Sequence, residues 1–259
     1  MSAPASGAWQ QPELVSEFLD QRATLLPLLD VQEDIVRRLF TRHSHPVARF
    51  LDIGAGDGAM SQLLLSVEPA ATAVLVDYSE PMLARAQERL GGDHSHWQAV
   101  RGDLREPAWR QELPAGPYNA AISSYAIHHL PSQRKRMLFA ELFDLLAPGA
   151  MFVNMDVVTV AGPLQGLFDE QMVANAIAAE HQHSGVRSDE QVERELLADE
   201  SDDQPDSLDE QLQWLRDTGF ADVEVHFKWA EGTIFGGIRP AFSGRDQARL
   251  ASSSLQSTV

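Results

Sequence analysis

The sequence predicts an α/β fold: a doubly wound, mostly parallel sheet with helices on both faces and a helical cap over the strand ends. Three observations carry this. An apolar run, Leu51 to Ile53, passes directly into glycines at 54, 56 and 58 and then into a helical pattern. Short strand-like runs then alternate with helical stretches, which calls for crossover connections and so for parallel pairing. Two of these runs lead into an acid, residues 73–76 into Asp77 and the WQAVRGDL stretch into Asp103.

Ahead of the sheet, Leu14, Phe18, Leu25, Leu29, Val36 and Leu39 recur at roughly helical spacing and predict one or two helices over residues 12–40. The core then begins with a strand at 47–53. Helices follow at 59–65, at 81–90 after the opening Ser79-Glu80-Pro81, and at 133–146, before Pro148-Gly149. The stretch NAAISSYAIHHLP is a fourth strand running into a polar, aromatic loop, and 150–158 is a fifth. Residues 164–182 and the charged 188–200 read as helices placed over the crevice at the strand ends. A last helix at 208–218 stops at Gly219, and two runs, 223–229 and 233–238, form a hairpin turning at Glu231-Gly232. The expected segments are therefore 1–46 as an N-terminal helical cap, 47–160 as core, 161–221 as helical cover with the last core helix, 222–239 as hairpin and 240–259 as a frayed tail.

A chain of 259 residues with 44% hydrophobic composition has room for one large domain. The start carries no basic segment followed by an apolar run, and long apolar spans are missing, so a cytoplasmic location without membrane contact is expected. Zero cysteines exclude disulfides and thiolate chemistry. The net charge of −18 opposes a nucleic-acid partner. Much of it comes from residues 188–210, where eleven acids accompany one base, Arg194, and read as a solvated helix face and loop. The compact basic run Arg134, Lys135 and Arg136 reads as a solvated first helical turn, the alternative being a tRNA contact.

Side-chain-free positions at Gly54, Gly56 and Gly58 let the backbone turn tightly and bring helix amides to a ligand. The spacing is G-x-G-x-G, with Asp57 in the turn, rather than the dinucleotide G-x-G-x-x-G. The order of strand, glycine loop, helix, strand-acid, helix, strand-acid, helix, strand resembles the class I S-adenosylmethionine-dependent methyltransferases over residues 47–240. The resemblance implies a Rossmann-like sheet with an antiparallel last strand, matching the hairpin, and S-adenosylmethionine as cofactor. It implies that Gly54, Ala55 and Gly56 lie beneath the cofactor, with Asp52 supporting the loop and meeting the amino group directly or through water. Asp77 would take the ribose hydroxyls, Tyr78 would lie against adenine, Asp103 and the Leu104 amide would meet the adenine amino group, and Ser123 would close the site. Arg22 would pair with the cofactor carboxylate, a surface ion pair being the alternative.

The loop after the fourth strand faces the transferred methyl group in this fold, which makes His128, His129 and Tyr125 the catalytic candidates. An imidazole titrates near neutrality and can take a proton from a hydroxyl or amine. The segment His129-Leu130-Pro131 resembles that of phosphoethanolamine and ubiquinone-pathway methyltransferases and points to His129 as base; the alternative is that one histidine packs and the other orders the loop. His181 and His183, beside Glu180, would form a metal site with His128 only if folding gathered them; two apart on a helix they diverge, so they read as surface residues and no metal is assigned. Phe168, Met172, Phe227 and Trp229 are candidates for the acceptor pocket. The expected reaction is methyl transfer to a small-molecule oxygen, nitrogen or carbon, by a chain that can pair as a homodimer. The carboxy-S-adenosylmethionine or tRNA-modification branches and a non-catalytic cofactor-binding regulator stand as alternatives.

Overall fold

The computed structural model describes residues 8–241 apart from 93, 184 and 200–202, so the predicted tail lies almost wholly outside the described residues. Seven strands form one sheet in the order β3-β2-β1-β4-β5-β7-β6. They are β1 Arg49–Ile53, β2 Thr72–Asp77, β3 Trp97–Arg101, β4 Tyr118–Ser124, β5 Leu146–Val157, β6 Ala221–Trp229 and β7 Gly232–Ile238. The first five pair in parallel, and β7 runs antiparallel to both β5 and β6. The helices are α1 Pro12–Leu25, α2 Leu29–Arg42, α3 Ala59–Val67, α4 Glu80–Leu90, α5 Ser132–Leu145, α6 Leu167–His183, α7 Asp189–Asp199 and α8 Leu208–Thr218.

Strand alternation sorts the core into two layers. Leu51 and Ile53 of β1 face one layer with Phe139 and Leu142 of α5 and Leu215 of α8. Phe50 faces the other, with Val36 and Phe40 of α2 and Met60 and Leu64 of α3. Each such side chain, once fully buried, contributes roughly 1.5–3 kcal/mol. The N-terminal segment thus divides: α2 packs on the sheet, whereas Leu25 of α1 joins Ala176 of α6 and Val192 of α7 in a small separate cluster. Those three helices make the cap.

Local chemistry sets the boundaries. Ser79 and Ser207 cap α4 and α8 by accepting the amides of Met82 at 3.1 Å and Glu210 at 3.3 Å. The fifth strand begins at Leu146, four residues before its expected start, because Leu146 pairs with Tyr118 across an irregularity in the ladder. The hairpin turns at Ala230 and Glu231, with Ala230 at φ +48, one residue earlier than expected. Gly232 belongs to β7; a Cβ there would lie 2.9 Å from the Phe168 ring.

Gly236 sits in β7 opposite Val153, where a Cβ would fall 2.0 Å from the Phe152 carbonyl oxygen. Gly236→Ala is expected to force β5 and β7 apart and cost roughly 1–3 kcal/mol, the usual range for overpacking. Urea unfolding checks it, and an unchanged midpoint would contradict the pairing described.

Candidate active site

The strand order reverses direction between β1 and β4, the chain proceeding outward to β2 and β3 on one side and to β5 on the other. Loops leaving the carboxyl ends of these two strands therefore diverge and open a crevice, where sheets of this kind bind ligands. A cavity of about 1020 Å³ fills it, its wall running from the glycine loop and Asp77 past Tyr125 to His129 and Asp203.

At one end, Gly54 takes φ +65 and packs so tightly that a Cβ would come within 2.2 Å of the Ala126 Cβ. The Gly56 amide donates to Asp77 Oδ2 at 2.8 Å, and the Ser79 amide to Oδ1 at 2.8 Å. Burial raises the Asp77 pKa, and these amide bonds oppose the rise. Gly58 instead meets Ala86, Leu75 and Leu90, so the third glycine serves helix packing. Asp57 is buried and bound by the Arg89 guanidinium, while Arg22 of α1 stands 3.9 Å away and faces the cavity.

Tyr78 follows Asp77 on the wall, with the Arg105 guanidinium 5.2 Å from its ring centroid. Arg105 also clasps Asp103 through Nε at 2.8 Å and Nη2 at 2.6 Å. Burial would raise the Asp103 pKa, but Arg105 holds the carboxyl below its ordinary value. Leu104 lines the same wall, and its carbonyl accepts from Arg134 Nε at 2.6 Å.

Two expected cofactor residues sit elsewhere. Asp52 is absent from the wall and buried on the α3 face, where Ser61 Oγ donates to it at 2.6 Å; alternation along β1 turns it away from the strand end. Burial pushes its pKa up to about 7, and Ser61 offsets only part of that rise. Ser123 is likewise buried and donates to the Ile53 carbonyl at 2.8 Å, so the hydroxyl of β4 on the cavity wall is Ser124.

At the other end, His128 is buried, with Nδ1 2.5 Å from Asp156 Oδ1 and Nε2 3.5 Å from Asp203 Oδ1. Burial works against its charge, yet the two carboxylates outweigh it and raise the pKa to about 10. That rise favours the protonated ring while no ion is bound, which speaks against His128 as the base and for His129. His129 is one-third exposed, its Nδ1 2.8 Å from Asp203 Oδ1. The two imidazoles hold Asp203 below the usual carboxylate range despite burial. Tyr125 takes φ +49 and donates its hydroxyl to Gln32 Oε1 at 2.9 Å, anchoring the loop to α2.

The basic run is not a solvated turn. Arg134 is buried against Glu141 at 2.7 Å, Lys135 is fully buried against Asp206 at 2.6 Å, and Arg136 stacks over Trp214. Part of the acidic run is equally structural, since Asp203 and Asp206 both pair with the β4–α5 region. His181 is exposed and pairs with Asp189 at 2.8 Å, apart from the His128 cluster; the His183 side chain lies outside the described residues. Phe168 and Met172 line the cavity, whereas Phe227 and Trp229 pack against the core. Sequence reading missed Asp156, which lies inside the predicted fifth strand near its carboxyl end. It missed Asp203 because one acid among eleven carries no local signal.

An open parallel sheet with a glycine loop, strand-end carboxylates and a cleft at its switch point defines a nucleotide-cofactor enzyme. A family profile described as a methyltransferase domain matches residues 50–149. A carboxy-S-adenosyl-L-methionine synthase of Chromohalobacter salexigens is 30% identical over 197 residues, 73% of this chain and 67% of that protein. A demethylmenaquinone methyltransferase of Clavibacter sepedonicus is 30% identical over 88% of each chain. The chain therefore belongs to the class I S-adenosylmethionine-dependent methyltransferases, whose cofactor is S-adenosylmethionine. The structure of human N-acetylserotonin methyltransferase in complex with S-adenosylmethionine shares the fold at TM-score 0.61 and 14% identity, over 93% of this chain and 61% of that one. Other curated matches, uncharacterized methyltransferases, are aligned over about half their length.

Because the native state holds the Asp52 proton more tightly than the unfolded chain, Asp52 disfavours folding increasingly as pH rises from its ordinary value of 3.8 through about 7. Asp52→Asn is expected to gain roughly 1–3 kcal/mol over the parent at pH 8 and much less at pH 5. Melting temperatures at the two pH values check this; an equal gain at both would refute the buried-proton account.

Proposed function

We propose that this chain transfers the methyl group of S-adenosylmethionine, by in-line displacement, to an oxygen, nitrogen or carbon nucleophile of a small molecule. The observation that carries the reading is the single cavity joining the Asp77 and Asp103 carboxylates to the His129–Asp203 pair. Its donor set suits the cofactor. The Asp77 carboxylate answers a vicinal diol, Tyr78 a flat heterocycle, Asp103 an exocyclic amine, and Arg22, with its loose 3.9 Å tie to Asp57, a carboxylate.

When bound, the cofactor supplies a methyl carbon already activated by its sulfonium. The remaining task falls to position, and fixing the reacting atoms in line is worth roughly 7–11 kcal/mol. The glycine loop and Asp77 hold one partner, while Phe168, Met172 and Leu25 wall the acceptor end and exclude water. His129 accepts the proton of a hydroxyl or amine nucleophile, and the Asp203 carboxylate 2.8 Å away favours the charged ring that results. His128, kept charged by Asp156, steadies Asp203 from the other side.

The carboxy-S-adenosylmethionine chemistry named in the Chromohalobacter relative is the second reading. It needs an arginine for the added carboxylate, and Arg105 and Arg134 on the cavity wall already face Asp103 and Glu141. Arg134 and Lys135 of the basic run are buried in ion pairs and likewise offer little to a tRNA.

Titration calorimetry should give micromolar binding of S-adenosylmethionine and S-adenosylhomocysteine and none of NAD. Asp77→Ala is expected to weaken the first two at least tenfold, and unchanged affinity would remove the diol assignment. His129→Ala should keep cofactor affinity and lose roughly 10²–10⁴-fold in turnover, the range for a general base; equal turnover would make the residue structural.

A further inference from the structure

We propose that His128 Nε2, His129 Nδ1 and Asp203 Oδ1 bind one divalent transition-metal ion at the acceptor end of the cavity. The binding stands by itself, while its chemical role rests on the methyl-transfer reading. The three donor atoms lie within 4.8 Å of one another, with Asp203 Oδ1 2.8 Å from His129 Nδ1 and 3.5 Å from His128 Nε2. Ligands around a small cation at about 2.0–2.2 Å stand at such separations from each other.

A second observation points the same way. Asp203 Oδ1 is buried and makes no aligned hydrogen bond, despite its 2.8 Å approach to His129. Oxygen and ring nitrogen converge on a shared space without satisfying each other. A ring N–H pointing at the oxygen would have formed an ordinary hydrogen bond there, and a cation between the two atoms would engage the lone pair of each.

The surroundings resemble the support of a ligand set. His128 Nδ1 is engaged by Asp156, which leaves Nε2 as the coordinating nitrogen once the ion displaces its proton to solvent, and Asp156 is itself held by the His128 and Val157 amides at 3.1 and 3.0 Å. Carboxylate behind histidine is the common outer arrangement of metal sites. Asp203 is placed from outside the cluster: the Gln204 amide donates to the His128 carbonyl at 3.0 Å, and buried Lys135 and Ser132 both grip Asp206. Lys135 is thus a positioning residue for Asp203.

Two imidazoles and one carboxylate favour ions such as zinc, cobalt, manganese or iron over magnesium or calcium. All three residues line the cavity, so further coordination positions face the acceptor, as in catalytic rather than structural sites. A hydroxyl bound there loses its proton more readily and becomes the better nucleophile. With the ion in place His129 is a ligand, and the proton passes from the ion-bound oxygen to solvent.

The test is titration of EDTA-treated, dialysed protein with Co²⁺ alone, read by visible d–d absorption and by calorimetry. Saturation at one equivalent per chain is expected. Asp203→Asn and His129→Gln should each weaken it at least tenfold, Asp156→Asn should weaken it by about tenfold, and His181→Ala should leave it unchanged. Affinity for S-adenosylhomocysteine, measured on the same metal-free samples, shows that each variant is folded. It also tests the cofactor reading separately, so either can fail alone. Absence of saturable binding, or binding that Asp203→Asn and His129→Gln leave intact, would overturn the site.

Discussion

At the fork between β1 and β4 the Gly54 backbone lies against Ala126 so closely that no side chain fits between them. This contact joins the glycine loop to the loop carrying the histidines, and the rest of the site is arranged around it. Because one loop leaves each of two adjacent strands, the glycine-loop end and the histidine end of the cavity share a border.

Charge is the second organising element. The chain carries a net −18, yet several of its cations and anions are spent inside. Arg134 joins Glu141, which also accepts from the Trp109 indole at 2.6 Å, and Lys135 joins Asp206. Such buried pairs contribute little net stability, because removing two charges from water costs nearly what their attraction returns. Breaking one is far more costly, and so each pair fixes an arrangement. The Lys135–Asp206 pair fixes the 203–206 loop against the start of α5, which delivers Asp203 to the two histidines.

The fold was legible because its signals are local. Glycine spacing, alternation within strands and serine caps act over a few residues, and the helix at 208–218 appears at the positions that its Ser207 cap and Gly219 stop dictate. That Gly54, Gly56, Asp77, Tyr78 and Asp103 line one cavity was legible for the same reason, since strand ends place them. Errors arose where direction mattered more than position. Asp52 and Ser123 occupy the right strands, but the two-residue period of a strand turns them into the core.

The sequence by itself determined the sheet, its order of crossover units, the glycine turn and the carboxylates at the strand tips, because each depends on neighbours in the chain. Only the tertiary structure decided the histidine end of the cavity. Asp156 and Asp203 reach His128 from 28 and 75 residues away, and Lys135 meets Asp206 across 71. Electrostatic pairing depends on distance in space, and composition alone made the basic and acidic runs look like separate solvated faces. Folding brings members of the two runs together, and their mutual neutralisation gives the site its shape.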